Sequence, residues 1–167
     1  MANILYVDDN DNVIGAGSMH NAVSKGIGHR IARVLVFNAK GKLLIQKRSL
    51  NINFPGKWDQ SAAGHVDEGE DYDVAAIREL KEEVGISGIP LKLIAKYRSN
   101  EMKKNKIMKR FNAIYVGTYE GEVNFSEKEV SEVKWVTLTE LEKWMQLKPV
   151  DFTEGFINSY AQYKSKK

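Results

Sequence analysis

Gly64-His65-Val66-Asp67-Glu68-Gly69-Glu70-Asp71-Tyr72-Asp73-Val74-Ala75-Ala76-Ile77-Arg78-Glu79-Leu80-Lys81-Glu82-Glu83-Val84-Gly85-Ile86 is the stretch from which the rest of the chain can be read. Asp71 to Val84 has helical periodicity, with Asp71 placed as an N-cap and Gly85 as the C-terminal stop. At 100° per residue, Glu79, Glu82 and Glu83 fall within an arc of about 100°. Ile77, Leu80 and Val84 occupy the adjacent arc. The helix is therefore expected to bury its aliphatic side and present three carboxylates on another. Glu79 and Glu83 form a like-charge i,i+4 pair, which disfavours the helix by a few tenths of a kcal/mol. Arg78, at i,i+4 to Glu82, relieves part of this. A divalent cation would relieve more, since Mg²⁺ selects oxygen ligands and joins a few carboxylates to substrate phosphates. Taken alone, the same pattern also reads as a solvated acidic face.

Working outward, Ile4 to Val7 and Asn12 to Ile14 flank the turn Asp8-Asp9-Asn10-Asp11 and are expected to form a hairpin. Residues 30–37 read as a buried strand, turned by Asn38-Ala39-Lys40-Gly41 into a second strand over 42–47. Phe54-Pro55-Gly56-Lys57-Trp58 reads as a loop. Residues 91–97 and 109–118 look like strands with a basic loop between them, and 133–136 is another short strand. Thr137 and Glu140 have capping-box spacing for a helix that runs to about Leu147 and is stopped by Pro149. From Asp151 to Tyr163, Phe152, Phe156, Tyr160 and Tyr163 share a stripe, which predicts a docked final helix. Strands and helices mix without regular βαβ alternation, so the expected fold is α+β, an α/β/α sandwich on a mixed sheet with an N-terminal β-hairpin and a C-terminal helix. One domain is expected over 1–167, with a core of about 28–147, a hairpin extension over 1–20 and the docked helix over 151–164.

The 167 residues are 43% apolar and 28% charged, ordinary values for a globular chain able to bury a core without staples. The absence of cysteine excludes disulfides, thiolate metal sites and a cysteine nucleophile. The first residues lack a basic n-region and turn acidic at Asp8-Asp9, and no apolar run is long enough to span a bilayer. The cytosol, with no membrane partner, is the expected location. The net charge of +3 is mild. Its positive excess lies in Lys103-Lys104-Asn105-Lys106 with Lys109-Arg110, and in Lys164, Lys166 and Lys167. Such runs usually form solvated loops or tails, and the other reading is a patch that attracts an anionic substrate. No stacking aromatics alternate with base-reading residues, so a nucleic acid polymer is not an expected partner.

The opening stretch fits Gly-x5-Glu-x7-Arg-Glu-U-x-Glu-Glu-x-Gly-U, with U a bulky aliphatic, at Gly64, Glu70, Arg78, Glu79, Leu80, Glu82, Glu83, Gly85 and Ile86. At average residue frequencies a chance match has a probability on the order of 10⁻⁷ or less. The chain resembles the Nudix family, and this stretch looks like a complete Nudix box. The likeness extends over about residues 28–147, through His29–Phe37, Gly41–Arg48, Phe54–Trp58 and Glu132–Val136. It implies a loop-helix-loop site binding Mg²⁺ or Mn²⁺. It also implies metal-dependent hydrolysis of a small-molecule diphosphate, a nucleoside diphosphate linked to another group. By position, Glu79, Glu82 and Glu83 would be metal ligands, completed by a main-chain carbonyl near Ala63 or Gly64. Arg78 would orient the carboxylates, and Glu70 would brace the loop. The catalytic set would be Glu82 and Glu79 of the box with a loop base, Glu129 first and Glu127 second. Arg48 and Lys57 are the expected diphosphate contacts. Dimers are common in the family, so a homodimer is one expected assembly.

Within the family the likeness is closest to the isopentenyl-diphosphate isomerase branch, through the N-terminal hairpin, the strand opened by His29, and Ser61-Ala62-Ala63-Gly64-His65. In that branch histidines bind a metal and a cysteine just before the Gly-His transfers a proton. Here the cysteine position is Ala63, the lysine-bearing loop is replaced by Asn51-Ile52-Asn53, and the box is intact. These departures imply a hydrolase on an isomerase-like frame. Isomerase activity and a non-catalytic nucleotide-sensing module are the alternatives. His20, His29 and His65 are either a transition-metal set or hydrogen-bonded structural residues.

Overall fold

The computed structural model describes residues 2–167. Its organising element is strand β3, Gly28–Phe37, in which every residue except Arg30 is buried. A strand covered on both faces reads as a continuous apolar run, which is why Arg-Val-Leu-Val-Phe shows no alternation. Its faces are nonetheless distinct. Ala32, Val34 and Val36 enter one core, and Leu35 and Phe37 enter the other.

The N-terminal hairpin pairs β1 (Ile4–Val7) with β2 (Val13–Gly17), and β1 continues onto β3. Around β3 lie β4 (Leu43–Arg48), β5 (Trp58–Asp59) and β6 (Ala62–His65). The strand β8 (Lys106–Thr118) runs parallel to β3, while β6 pairs with β3 antiparallel on its other edge. The outer strands are β7 (Lys92–Lys103), antiparallel to β8, and β9 (Val130–Val136), antiparallel to β4. The sheet is therefore mixed, as expected.

Three longer helices cover it. Helix α2, Tyr72–Val84, packs Ala75, Ala76, Leu80 and Val84 against the first core. The Asp71 carboxylate caps it by accepting from Val74 N at 2.9 Å, and Gly85 ends it in the left-handed region at φ 70°. On the other face α3 (Leu138–Leu147) opens with a capping box of Thr137 and Glu140. With α4 (Glu154–Ser165), it buries Leu141, Phe152, Phe156 and Tyr160. The aromatic stripe is core, as read from the sequence, and Trp58 belongs to it.

Three expectations need correction. A short helix, α1 (Met19–Lys25), capped by Ser18 and closed by Gly26, follows the hairpin; too few of its residues are apolar to make a stripe. The basic loop is only a tight turn at Lys104-Asn105, both at positive φ, so Lys103 and Lys106 are strand residues. On α2 the buried stripe runs through Tyr72, Ala75, Ala76, Glu79, Leu80, Glu83 and Val84, whereas Ile77 is 54% exposed. Two of the three carboxylates thus point inward and an aliphatic residue expected to be buried points out.

Candidate active site

The site forms where α2 lies across β6. The Glu83 carboxylate, 6% exposed, accepts from the Ala63 backbone N–H at 3.1 Å and from Gln46 Nε2 at 2.8 Å. Glu79 rests against Gly64, where a Cβ would lie 2.1 Å from Glu79 Oε1; any side chain there would displace the carboxylate. A third acid arrives from the loop before β9. Ser126 N donates to Glu83 O at 3.0 Å, Glu129 N donates to Ser126 O at 3.1 Å, and Ser49 N donates to Glu129 O at 2.9 Å. Those bonds tie the loop to the C-terminal end of α2 and to the end of β4. As a result Glu79, Glu83 and Glu129 each bring a carboxylate oxygen within 4.8 Å of the others.

Arg78 organises the rim. Its Nε donates to Glu70 Oε1 at 2.5 Å, and its Nη2 donates to Glu70 Oε2 and to His65 O, both at 2.9 Å. Its Nη1 reaches Glu79 Oε1 at 2.7 Å and Glu82 Oε2 at 3.3 Å. Glu70 also accepts from Asp67 N at 3.0 Å, so it holds both the arginine and the loop before α2. Arg78 thus bonds Glu70, Glu79 and Glu82 at once.

Electrostatics in the cluster are unbalanced. Burial pushes the Glu79 carboxyl up to about 7; Arg78 pulls it back by more than Glu82 and Glu129 push it up, but does not overcome the burial. Burial and the Glu79 charge push Glu83 well above the ordinary carboxylate range. Hard oxygen donors carrying excess negative charge, held in a buried cluster, fit Mg²⁺ or Mn²⁺. Glu82 lies at the rim, its side chain 52% exposed and outside the closed trio. The position the sequence placed second to none among the ligands is thus the most open of the four.

These acids line one wall of a cleft of about 470 Å³. Arg48 also lines it, its guanidinium held by Asp59 at 3.2 Å and Asn53 O at 2.6 Å. Lys57 does not line the cleft; its ammonium donates to Val150 O at 3.0 Å. Glu127 is exposed and also lies outside it. Of the histidines, His20 is exposed, whereas the His29 and His65 rings pack tilted by 46° with centroids 5.6 Å apart. Burial and the nearby Arg110 guanidinium lower His29 to about 4 and lower His65 as well. Among the described residues no histidine joins a metal-holding group. Gln46 was missed in the sequence, although a lone amide in Leu43-Leu44-Ile45-Gln46 is a signal in a strand otherwise buried and apolar.

The NUDIX domain family model matches residues 28–156. The chain belongs to the Nudix family. It is 32% identical over 155 residues to an isopentenyl-diphosphate Delta-isomerase of Photorhabdus laumondii, covering 92% of this chain and 87% of that one. It is 31% identical over 136 residues to a Nudix hydrolase of Yersinia pestis, covering 81% and 72%. A crystal structure from Deinococcus radiodurans has the same fold, with a TM-score of 0.71, 21% identity and coverage of 87% and 89%. The protein is thus a Nudix hydrolase whose Nudix box is the loop-helix-loop from Gly64 to Ile86.

Proposed function

We propose that this Nudix hydrolase is a divalent-metal-dependent pyrophosphohydrolase that cleaves the diphosphate linkage of a nucleoside diphosphate-X type substrate. The observation that carries this reading is the close-set trio Glu79, Glu83 and Glu129 on the wall of the cleft, with Glu82 at its rim. Glu79, Glu82 and Glu83, with the Gly64 carbonyl, would hold Mg²⁺ or Mn²⁺. Bound there, the metal would neutralise diphosphate charge and acidify the attacking water. The remaining work falls to the chain. Arg78 fixes the orientation of Glu79 and Glu82 by charge-assisted bonds. Arg48, on the cleft wall, is the diphosphate contact. Glu129 would take the proton from water, a role supported by the loop bonds that bring it to α2 and β4. A small-molecule substrate suits a cleft of this volume.

Product release from a panel of diphosphate compounds, with Mg²⁺ and with Mn²⁺, tests the reading. Turnover of one compound, lost in Glu82→Gln, is the expected result; silence across the panel would sink it. The similarity to isopentenyl-diphosphate isomerases keeps that reaction as the second reading. Against it stand Ala63 at the position of the proton-transferring cysteine and Arg110 beside the two buried histidines. Exchange of solvent deuterium into isopentenyl diphosphate without phosphate release would establish the isomerase instead.

A further inference from the structure

The same cleft has a second, cationic region that the diphosphate chemistry does not use. It is built on the sheet face that carries Ile31 and Arg33 of β3. Neighbours in register share a face, so His65 beside Ile31 and Arg110 beside His29 project to the same side. Two buried guanidiniums meet there over one carboxylate. Arg33 Nη2 reaches Glu101 Oε1 at 3.3 Å, and Arg110 Nη1 bonds Glu101 Oε2. Arg33 is otherwise satisfied, by Asn112 Oδ1 at 2.8 Å and Gln60 Oε1 at 3.4 Å. Arg110 is not: its side chain is 11% exposed and its Nε–H is buried with no partner. Lys103, on the same cleft wall, makes no ion pair among the described residues.

The charge count is therefore two arginines and a lysine against one glutamate. Asp59, which also lines the cleft, is occupied by Arg48 at 3.2 Å and Thr153 Oγ1 at 3.0 Å. An uncompensated buried charge is strongly unfavourable. Burial and Arg33 depress the Arg110 guanidinium despite Glu101, which reflects that deficit. Strand spacing sets the reach. β6 carries Gly64 beneath Glu79, and β8 carries Arg110 two strands away and three residues along, so the two backbone positions lie roughly 14 Å apart.

We propose that Arg110 and Lys103 form a subsite for a phosphate monoester, so that the substrate carries a further phosphate beyond its diphosphate. The surplus of two positive charges matches a phosphate dianion, and the unpartnered Nε–H with the lysine ammonium supplies donors to its oxygens. This rests on the hydrolase reading for the identity of the rest of the substrate, but the subsite itself can be tested without turnover.

The test is a titration of the full-length, EDTA-treated protein with inorganic phosphate, followed by calorimetry and by the arginine Nε–Hε resonances. Saturable binding that shifts one Nε–Hε signal, the one missing in Arg110→Met, is expected. Arg110→Met should weaken binding by about tenfold or more, and Lys103→Met, a partly buried position that leaves the Arg33–Glu101 pair in place, by about threefold. Glu82→Gln should bind phosphate like the wild type. Absence of saturable binding, indifference to both substitutions, or equally tight binding of acetate would overturn the phosphate subsite. Loss of turnover panel-wide with phosphate binding intact would instead overturn only the hydrolase reading.

Discussion

Glu82 and its two neighbours on α2 differ in ways that their shared arc conceals. Glu82 is half exposed and bonded only to Arg78, so Glu82→Gln should lower turnover at least about a hundredfold while melting within a degree or two of the wild type. Full activity in that variant would refute the proposed mechanism. Glu79 carries the pH dependence. Its folded carboxyl sits at about 7, above the ordinary value of 4.5, so its contribution to stability is present below about 4.5 and is lost as pH rises through 7. His29 opposes it over an overlapping range. Its folded pKa of about 4 lies below 6.5, so its contribution is lost as pH falls from 6.5 through 4. The clean measurement is thus a difference. In EDTA, Glu79→Gln should melt several degrees above the wild type at pH 8, and the gap should close by pH 5. A pH-independent gap would mean that Glu79 is not ionising in this window. Gly64 is needed for space rather than for backbone freedom, since a Cβ would strike the Glu79 carboxylate at 2.1 Å. Gly64→Ala should weaken Mn²⁺ binding by roughly tenfold or more, read by electron paramagnetic resonance titration.

At the scale of elements, α2 couples metal binding to the loop that carries Glu129. Gly85 closes the helix at φ 70°, and a Cβ there would meet Asn124 O at 2.5 Å. Gly85→Ala should therefore destabilise by about 2 kcal/mol, lowering the melting temperature by roughly 4–8 °C. It should also reduce metal affinity by moving the loop. An unchanged melting point would show that the helix end tolerates an L-residue. The limits of α2 were legible because its caps are local chemistry: Asp71 and Gly85 act on backbone groups a few residues away. Its inward face was misread because carboxylates are expected in solvent. The repeat through Tyr72, Ala75, Ala76, Leu80 and Val84 already places Glu79 and Glu83 on the buried stripe, and Ile77 off it. The basic stretch failed for a related reason. Arg110 sits on β8 diagonal to Glu101 of β7, a pairing nine residues apart that depends on strand register, not on local charge density.

For the whole molecule, the sheet is clamped between α2 and the α3–α4 layer, and the cleft opens between those layers. Phe156 is fully buried between Phe152 and Tyr160. Phe156→Ala should destabilise by about 3–5 kcal/mol, a fall on the order of 10 °C in melting temperature. It should also disturb Thr153 and Gly155, which meet the cleft's Asp59 and Arg33 from the start of α4. A loss under 1 kcal/mol would mean α4 docks weakly. Sequence alone determined the family, the mixed sheet, the box carboxylates and the aromatic stripe, because caps, periodicity and a spaced motif are properties of neighbouring residues. Only the tertiary structure decided that Glu129 joins Glu79 and Glu83, that Lys57 and Glu127 stay out of the cleft, and that Arg110 pairs with Glu101. Each of those outcomes depends on strand register and loop hydrogen bonds rather than on neighbours along the chain.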